Sequence, residues 1–233
     1  MQPPAEIQVW HANLDGPEVP DDLWLSAEER ARATRMRFDR DRRRFVAAHG
    51  FLRALLARQL GCETAAIVFG ELENGKPLIA APATALRFNL SHSDANALAA
   101  VAIDREVGVD VELLRPLRGG DGLARRVLSN GELAERERAP AAREAALLVA
   151  WTRKEAVMKA CGVGLRLDPA SVETGVSPSD TPRIVDLGPL GAAWSVASLA
   201  VGPDYAAAVA AEGARMRVIA RAWRWCESAA PVS

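Results

Sequence analysis

Two blocks of helical periodicity, each followed by short alternating segments, constrain the fold of this chain most. Apolar residues recur at helical spacing from residue 40 to 60 and again from 141 to 160. A glycine follows each block, Gly61 and Gly162, and glycine just beyond a periodic run commonly ends a helix. Helices followed by strands, twice over, predict an α+β fold with segregated sheets rather than a parallel sheet of βαβ units.

Local signals define the helix starts and one hairpin. Ser26 and Ser129 each precede a glutamate by three residues, which is the capping-box pattern of a helix N-terminus. Asn74-Gly75 lies between two short apolar runs and predicts a β-hairpin. Strands are expected at residues 7–10, 67–69, 77–79, 86–90, 97–103, 107–112, 184–187, 194–199, 205–210 and 216–220.

A glycine-rich stretch separates the two blocks. Residues 118–122, just beyond Pro116, read Arg-Gly-Gly-Asp-Gly, a composition typical of a loop. We therefore predict an N-terminal α+β half over residues 1–116 and a C-terminal α+β half over residues 117–233.

Composition narrows the class of protein. The chain has 233 residues, of which 49% are hydrophobic and 25% are charged, as in soluble globular proteins. Its formal net charge of -1 gives no whole-chain attraction to nucleic acid or membrane. The three cysteines have no CxxC spacing, and therefore predict neither a disulfide framework nor a zinc site. Neither a signal peptide nor a membrane-spanning run is visible, so we expect a cytoplasmic protein.

Arginine is concentrated in residues 30–44, where the only acids are Asp39 and Asp41. A solvated helix face would show the same pattern. Guanidinium groups also match phosphate oxygens, so a phosphate-binding site is an equal alternative.

An acidic pair follows an apolar run. Asp110 and Glu112 are two residues apart, so their side chains project to one side of a strand while Val109 and Val111 face the core. Charges on an exposed face would give the same spacing. The apolar run before the pair favours instead the end of a buried strand, where binding sites form.

A second charged motif lies on the predicted helix 141–160. Lys154 and Glu155 are adjacent, and Lys159 follows Glu155 by one helical turn. Ordinary salt bridging along the helix is the alternative interpretation. If the helix meets the acidic strand, three carboxylates and two ammonium groups converge. Hard oxygen ligands of that kind suit Mg²⁺ shared with the phosphates of a substrate.

Two further polar segments follow predicted turns or strands. Ser91 and His92 lie in a polar segment after residues 86–90, and Lys76-Pro77 follows the hairpin turn. No Gly-x-Ser-x-Gly motif supports a serine hydrolase, and no Walker loop is present. A capped turn is one interpretation, and hydrogen bonding to a phosphate or a base is the other.

Taken together, four motifs resemble the 4′-phosphopantetheinyl transferase superfamily. In length and order they are similar to its long, surfactin-synthetase-activating type, over roughly residues 24–210. The motifs are Gly75-Lys76-Pro77, Phe88–Ser93, Gly108–Glu112 and Trp151–Lys159.

The resemblance implies two pseudo-symmetric halves, each with helices packed on a small, mostly antiparallel sheet. It also implies an activity: transfer of the phosphopantetheine arm of coenzyme A to a serine of an apo acyl or peptidyl carrier protein, with release of adenosine 3′,5′-bisphosphate. The expected cofactor is Mg²⁺, and the fused halves favour a monomer. Fatty-acid, polyketide, nonribosomal-peptide and siderophore carriers all remain open.

The resemblance also assigns catalytic and metal-binding roles. Asp110, Glu112 and Glu155 would hold Mg²⁺. Glu155 is our candidate for the base that accepts the proton of the carrier serine, and Lys159 and His92 complete the catalytic set.

Coenzyme A would be bound by a wider set of side chains. His92 and Arg44 would meet its 3′-phosphate, although the arginine-rich stretch can be aligned in more than one register. Lys154 and Lys159 would meet other phosphate oxygens, and Lys76-Pro77 with Ser91 would frame the adenine. The complete predicted set is Arg44, Lys76, Pro77, Ser91, His92, Lys154 and Lys159.

Residues 123–128 combine apolar and basic side chains and form a possible landing surface for an acidic carrier helix. An amphipathic helix packed on the core is the alternative. Two rival functions are also kept: a non-catalytic module that binds coenzyme A or a carrier, and another Mg²⁺-dependent enzyme that cleaves pyrophosphates.

Overall fold

The computed structural model describes residues 5–16, 19, 24–117, 119–188 and 193–225. The helices are α1 (Ala27–Thr34), α2 (Asp39–Leu60), α3 (Gly120–Val127), α4 (Asn130–Glu137) and α5 (Arg143–Cys161). The strands are β1 (Ala5–Asn13), β2 (Val68–Glu71), β3 (Pro77–Ala81), β4 (Leu86–Ser93), β5 (Asn96–Ile103), β6 (Val107–Leu113), β7 (Arg183–Asp186), β8 (Ala193–Ser198), β9 (Tyr205–Glu212) and β10 (Met216–Ala222).

The predicted helix boundaries are confirmed. Ser26 and Ser129 both form reciprocal capping boxes with the glutamates three residues on. Gly61 and Gly162 end α2 and α5 with positive φ angles of 63° and 72°, a conformation that glycine adopts without strain. The Asn74-Gly75 hairpin is also present, since β2 pairs antiparallel with β3. The fold is thus α+β, as predicted.

Two four-stranded sheets are stacked between the two long helices. Their strand orders are β10-β1-β5-β4 and β6-β9-β8-β7, and every pairing within them is antiparallel except β1 with β10. The inner faces of the two sheets share one apolar core, which contains Ile7, Leu98, Val109 and Val209. On the outer faces, α2 packs on the first sheet and α5 on the second. The layers therefore run helix, sheet, sheet, helix.

The sheets do not follow the predicted boundary at residue 116. β6 precedes that boundary but pairs with β9 of the second sheet, and β10 follows it but pairs with β1 of the first. Each sheet therefore contains a strand from the other side of the boundary. Sequence order alone does not show this exchange, because strand pairing over such distances is decided by tertiary packing.

No helix within the described ranges is both long enough and apolar enough to cross a bilayer.

Candidate active site

The candidate site lies at the seam between the two sheets, where β4, β6 and α5 meet. Gly108 makes this contact possible. A Cβ at this position would overlap the main-chain carbonyl oxygen of Ala156 and the amide nitrogen of Ala160 on α5. The helix backbone therefore lies directly on β6, and the acidic strand motif and the charged helix motif are brought together as predicted.

Polar side chains of β4 accept hydrogen bonds from main-chain amides on the outer edge of β6. Asn89 accepts a hydrogen bond from the main-chain amide of Val109 (2.9 Å), and the Ser93 hydroxyl accepts one from the amide of Leu113 (3.2 Å). Ser93 also donates to Glu112 (3.1 Å). Sequence reasoning missed Asn89 and Ser93 as site residues. Their alternation with Ser91 along one face of a strand was the signal that could have found them.

Asp110 is the buried centre of the site, with 4% of its surface exposed. One carboxylate oxygen accepts hydrogen bonds from Lys159 Nζ (2.6 Å) and Ser91 Oγ (2.9 Å). The other oxygen, Oδ2, is buried and has no partner among the described residues. Burial raises the pKa of Asp110, against the opposing effect of Lys159. A buried carboxylate oxygen without a partner is a natural ligand position for a cation.

Glu155 and Glu112 place two further negative charges beside Asp110. Burial raises the pKa of Glu155; the charges of Asp110 and Glu112 raise it further, and Lys159 opposes them. Burial and the charge of Asp110 likewise raise the pKa of Glu112. Three carboxylates that disfavour one another's ionisation suit a shared cation. Within the described chain, however, no three ligand side chains form a ready-made metal cage.

The opposite side of the site is basic. His92 is open to solvent, but the protein around the ring reduces its hydration and lowers its pKa. The positive charges of His49, Lys159, Arg32 and Arg44 lower that pKa further. A neutral imidazole among cationic groups can donate one hydrogen bond to an anion in a positive field.

Arg44 is paired with two carboxylates in this structure, and its contact with the 3′-phosphate stays a prediction. Its Nε and Nη2 donate to Asp15 and its Nη1 to Asp94, with shortest distances of 2.6 Å to each carboxylate. These bonds raise the pKa of Arg44. They connect α2 to the segment after β1 and to the β4–β5 turn. In this structure Arg44 therefore influences His92 only through its charge.

Lys154 is also paired within the protein. Its side chain is fully buried and pairs with Glu132 Oε2 at 2.5 Å. It also donates to the carbonyl oxygens of Pro169 (2.8 Å) and Val172 (2.6 Å). The ammonium is thus buried among three partners and does not face the carboxylate cluster, and its contact with a phosphate stays a prediction. Sequence reasoning assigned Glu132 to the helix cap alone.

Lys76 points inward as well. Its Nζ contacts Glu106 Oε2 (2.5 Å) and the carbonyl oxygens of Val107 (3.2 Å) and Ala160 (2.6 Å). The side chain is buried, whereas its neighbours Gly75 and Pro77 are exposed, and the contact with adenine stays a prediction. The lysine joins the end of α5 to the start of β6.

Ser91 has partners within the protein as well. Its hydroxyl donates to Asp110 and accepts from Lys159 (3.1 Å). The structure thus places Ser91 in the carboxylate cluster, and its contact with adenine stays a prediction.

Known proteins and two family models match most of this chain. Residues 106–210 match the family model of the 4′-phosphopantetheinyl transferase superfamily, and residues 23–103 match the model of the N-terminal part of 4′-phosphopantetheinyl transferases. The 4′-phosphopantetheinyl transferase HetI of Nostoc sp. is 36% identical over 215 residues, which cover 89% of this chain and 88% of HetI. This chain belongs to the 4′-phosphopantetheinyl transferase superfamily.

Other members of the superfamily are similar over shorter stretches. A putative 4′-phosphopantetheinyl transferase of Synechocystis sp. is 34% identical over 161 residues, 68% of this chain and 65% of the relative. A 4′-phosphopantetheinyl transferase of Bacillus subtilis is 31% identical over 144 residues, 61% of this chain and 62% of the relative. Residues 106–210, which match the superfamily model, contain β6 and α5, the two elements that carry the carboxylates.

Proposed function

We propose that this transferase moves the 4′-phosphopantetheine arm of coenzyme A to a serine of an apo carrier protein in a Mg²⁺-dependent reaction that releases adenosine 3′,5′-bisphosphate. The observation that carries this proposal is the cluster at the seam. Asp110 holds a buried oxygen without a described partner, and the Glu155 side chain makes no described hydrogen bond. Lys159 contacts Asp110, and its charge acts on both Glu155 and His92.

Asp110, Glu112 and Glu155 are proposed to hold the Mg²⁺. When bound, the ion would neutralise charge on the pyrophosphate of coenzyme A. The donor set fits a hard cation, because it offers only carboxylate oxygens and one of them is buried without a described partner.

Lys159 is proposed to stabilise the leaving group. The serine oxygen of the carrier forms a bond to the phosphorus next to pantetheine, and the bond from that phosphorus to the bridging oxygen breaks. Negative charge then grows on the phosphate of the departing nucleotide. The Lys159 ammonium is close enough to Asp110 (2.6 Å) to turn from the carboxylate to such an oxygen.

Glu155 is proposed to accept the serine proton. Its pKa is raised by burial and by two neighbouring carboxylates, which makes it a better base than an ordinary glutamate. Glu155→Gln should therefore lose most turnover at saturating Mg²⁺. Near-normal turnover of this variant would exclude the base role.

His92 is proposed to bind the 3′-phosphate. Its surroundings contain Arg32, Arg44 and Lys159 as positive charges, so an anion is favoured there. Pro77 is proposed to contact the adenine from the exposed end of β3.

Helix α3 is proposed to receive the carrier. Its Ala124 and Val127 pack on the core, whereas Leu123, Arg125 and Arg126 are exposed. One face of α3 thus packs on the core, as in the alternative interpretation, and another face is exposed and available to a carrier. Arg126→Glu should raise the KM for an acidic carrier and leave the KM for coenzyme A unchanged.

One assay separates the proposal from its rivals. The chain is incubated with apo carrier, coenzyme A and Mg²⁺, and the carrier is weighed by mass spectrometry. A gain of one phosphopantetheine arm, absent with Asp110→Asn, is the expected result. Intact coenzyme A with no gain favours a binding module, and hydrolysed coenzyme A with no gain favours a pyrophosphate-cleaving enzyme. A panel of apo carriers then identifies the pathway.

The proposal extends to a monomeric, cytoplasmic enzyme of the long type. A single chain supplies both β6 and α5, so the carboxylate cluster needs no second copy. Cys62 and Cys161 are both unpaired, as expected in a reducing compartment.

A further inference from the structure

A buried ion pair joins the helix that carries Glu155 to the neighbouring helix α4. Lys154 Nζ and Glu132 Oε2 are 2.5 Å apart, and neither side chain is exposed. The second oxygen of Glu132 accepts hydrogen bonds from the main-chain amides of Thr174 (2.8 Å) and Gly175 (2.9 Å). Together with the two carbonyl partners of Lys154, these bonds leave neither charged group unsatisfied.

The same carboxylate also completes the start of α4. Glu132 Oε2 accepts a hydrogen bond from the main-chain amide of Ser129 (3.0 Å), the reciprocal half of the capping box. Arg153, next to Lys154, donates to the carbonyl oxygen of Thr174 (2.8 Å). Adjacent residues of α5 are thus fixed to one end of α4 and to the segment after residue 168.

Apolar packing defines the rotation of α5 less sharply than a directional contact does. The helix is buried around most of its circumference, and many of its buried residues are small. Hydrophobic burial is non-directional, and alanines resist rotation less than large side chains would. An ammonium with three fixed oxygen partners is directional, so it defines which way the adjacent Glu155 points.

We propose that Lys154 and Glu132 are a positioning pair for Glu155, which they hold towards Asp110 and Glu112 for metal binding. This inference rests on the proposed function. The two residues touch neither coenzyme A nor the metal. They act through the orientation of α5 on β6.

The alternative is that the pair only stabilises the fold. Replacing both members of a buried ion pair by neutral residues is often harmless to stability, whereas removing one member leaves a buried charge uncompensated. Comparing single and double variants therefore separates stability from positioning.

The experiment uses the full chain and three variants, Lys154→Met, Glu132→Gln and the double Lys154→Met/Glu132→Gln. Mn²⁺ binding is measured directly by electron paramagnetic resonance. The transfer assay gives the Mg²⁺ concentration at which the rate is half of its maximum. The double variant should have a higher thermal midpoint than Lys154→Met. Its affinity for Mn²⁺ should nevertheless be lower than that of wild type by about 10-fold or more. This is the usual effect of removing residues that position metal ligands.

Affinity for adenosine 3′-monophosphate, which lacks the phosphate proposed to meet Lys159 of α5, supplies a readout without metal that should not move. His92 lies on β4, away from the pair, so this affinity should stay within about 2-fold of wild type, since distant sites are usually independent. Ser129→Ala is the matched control: it removes the hydroxyl that caps the Glu132 amide (3.1 Å) and spares the ion pair. It should lower the thermal midpoint and leave Mn²⁺ binding unchanged.

Two outcomes would overturn the inference: a double variant with wild-type Mn²⁺ affinity, or a Ser129→Ala variant that weakens Mn²⁺ binding equally. If the double variant does not fold, Glu132→Gln decides by the same measurement, because it keeps the side-chain shape. A wild-type chain that modifies no carrier would defeat the proposed function instead. The Mn²⁺ comparison needs no carrier and still decides the positioning role.

Discussion

At the scale of single residues, the Lys159–Asp110 contact links the two sides of the site. The ammonium lies 2.6 Å from a buried carboxylate oxygen and 3.1 Å from the Ser91 hydroxyl. Without metal, Lys159 compensates the charge of Asp110. The same ammonium is the group proposed to meet phosphate, so metal and coenzyme A both compete with this ion pair.

Removing Lys159 should therefore change activity and metal affinity in opposite directions. For Lys159→Met we expect kcat to fall by about 10²–10³-fold, as when one donor to developing charge is lost. Mn²⁺ binding without coenzyme A should become tighter, because Asp110 loses its competing cation. Calorimetry or electron paramagnetic resonance measures the affinity.

Arg115→Met is the matched control for that experiment. Arg115 is exposed and its charge acts on Glu112, so the variant removes one nearby positive charge but no contact to Asp110. An equal gain of Mn²⁺ affinity in both variants would show a general charge effect and contradict specific competition.

At the scale of elements, the approach of α5 to β6 depends on a missing side chain. A Cβ at Gly108 would meet main-chain atoms of α5, which cannot move aside as a flexible side chain can. The helix would have to lift from the strand, and Glu155 and Lys159 would move with it.

Gly108→Ala should therefore reduce both stability and activity. We expect a loss of about 1–3 kcal/mol in the free energy of unfolding, the usual effect of overpacking, together with a loss of turnover. Urea unfolding and the transfer assay measure the two effects. Gly16→Ala is the control, since a Cβ there comes no closer than 4.0 Å to its nearest neighbour, Asn13 O, and this variant should keep both properties.

The junction between α1 and α2 is held by Glu29. Burial alone would raise the pKa of this carboxyl, but hydrogen bonds from His49, the Ser26 amide and Arg53 outweigh burial and lower it to about 2. Because the folded-state pKa lies below the unfolded one, the carboxylate stabilises the fold above the ordinary glutamate pKa. This stabilisation is lost as the pH falls towards 2.

Glu29→Gln should consequently be destabilised by roughly 2–3 kcal/mol at pH 7. The difference from wild type should shrink as the pH falls from 4.5 to about 2, the interval between the two pKa values. Urea unfolding across this range measures it. Glu28→Gln, an exposed neighbour, should change stability by less than about 0.5 kcal/mol. A pH-independent difference for Glu29→Gln would contradict the assignment.

At the scale of the whole molecule, strand exchange makes the two parts of the chain interdependent. Without residues 117–233, β6 loses β9 and β1 loses β10. Those edges would expose unpaired main-chain groups and the apolar core between the sheets.

Fragments 1–116 and 117–233 should therefore fail to fold separately. We expect neither to show a cooperative thermal transition by circular dichroism, whereas the full chain should unfold in one transition. A cooperative transition in either fragment alone would contradict the interdependence.

The sequence by itself determined the local structure and the residue types that meet at the site. Capping boxes, terminal glycines and periodicity identify helices and strands, because these features depend on neighbours within a few residues. A period of two also separates Asp110 and Glu112 from Val109 and Val111. The spatial meeting of Asp110, Glu155 and Lys159 followed from the four motifs read together.

Only the tertiary structure decided which partner each long side chain reaches. The resemblance assigns Lys154 to a phosphate and Lys76 to the adenine, yet each is buried against a glutamate and carbonyl oxygens from other elements. A flexible lysine can reach in many directions, and the choice depends on distant segments that its own neighbours do not encode. The pairing of β6 with β9 and of β10 with β1 could not be predicted for the same reason. Apolar strands of similar pattern can pair with several neighbours, and only the packing of the whole chain decides which pairing forms.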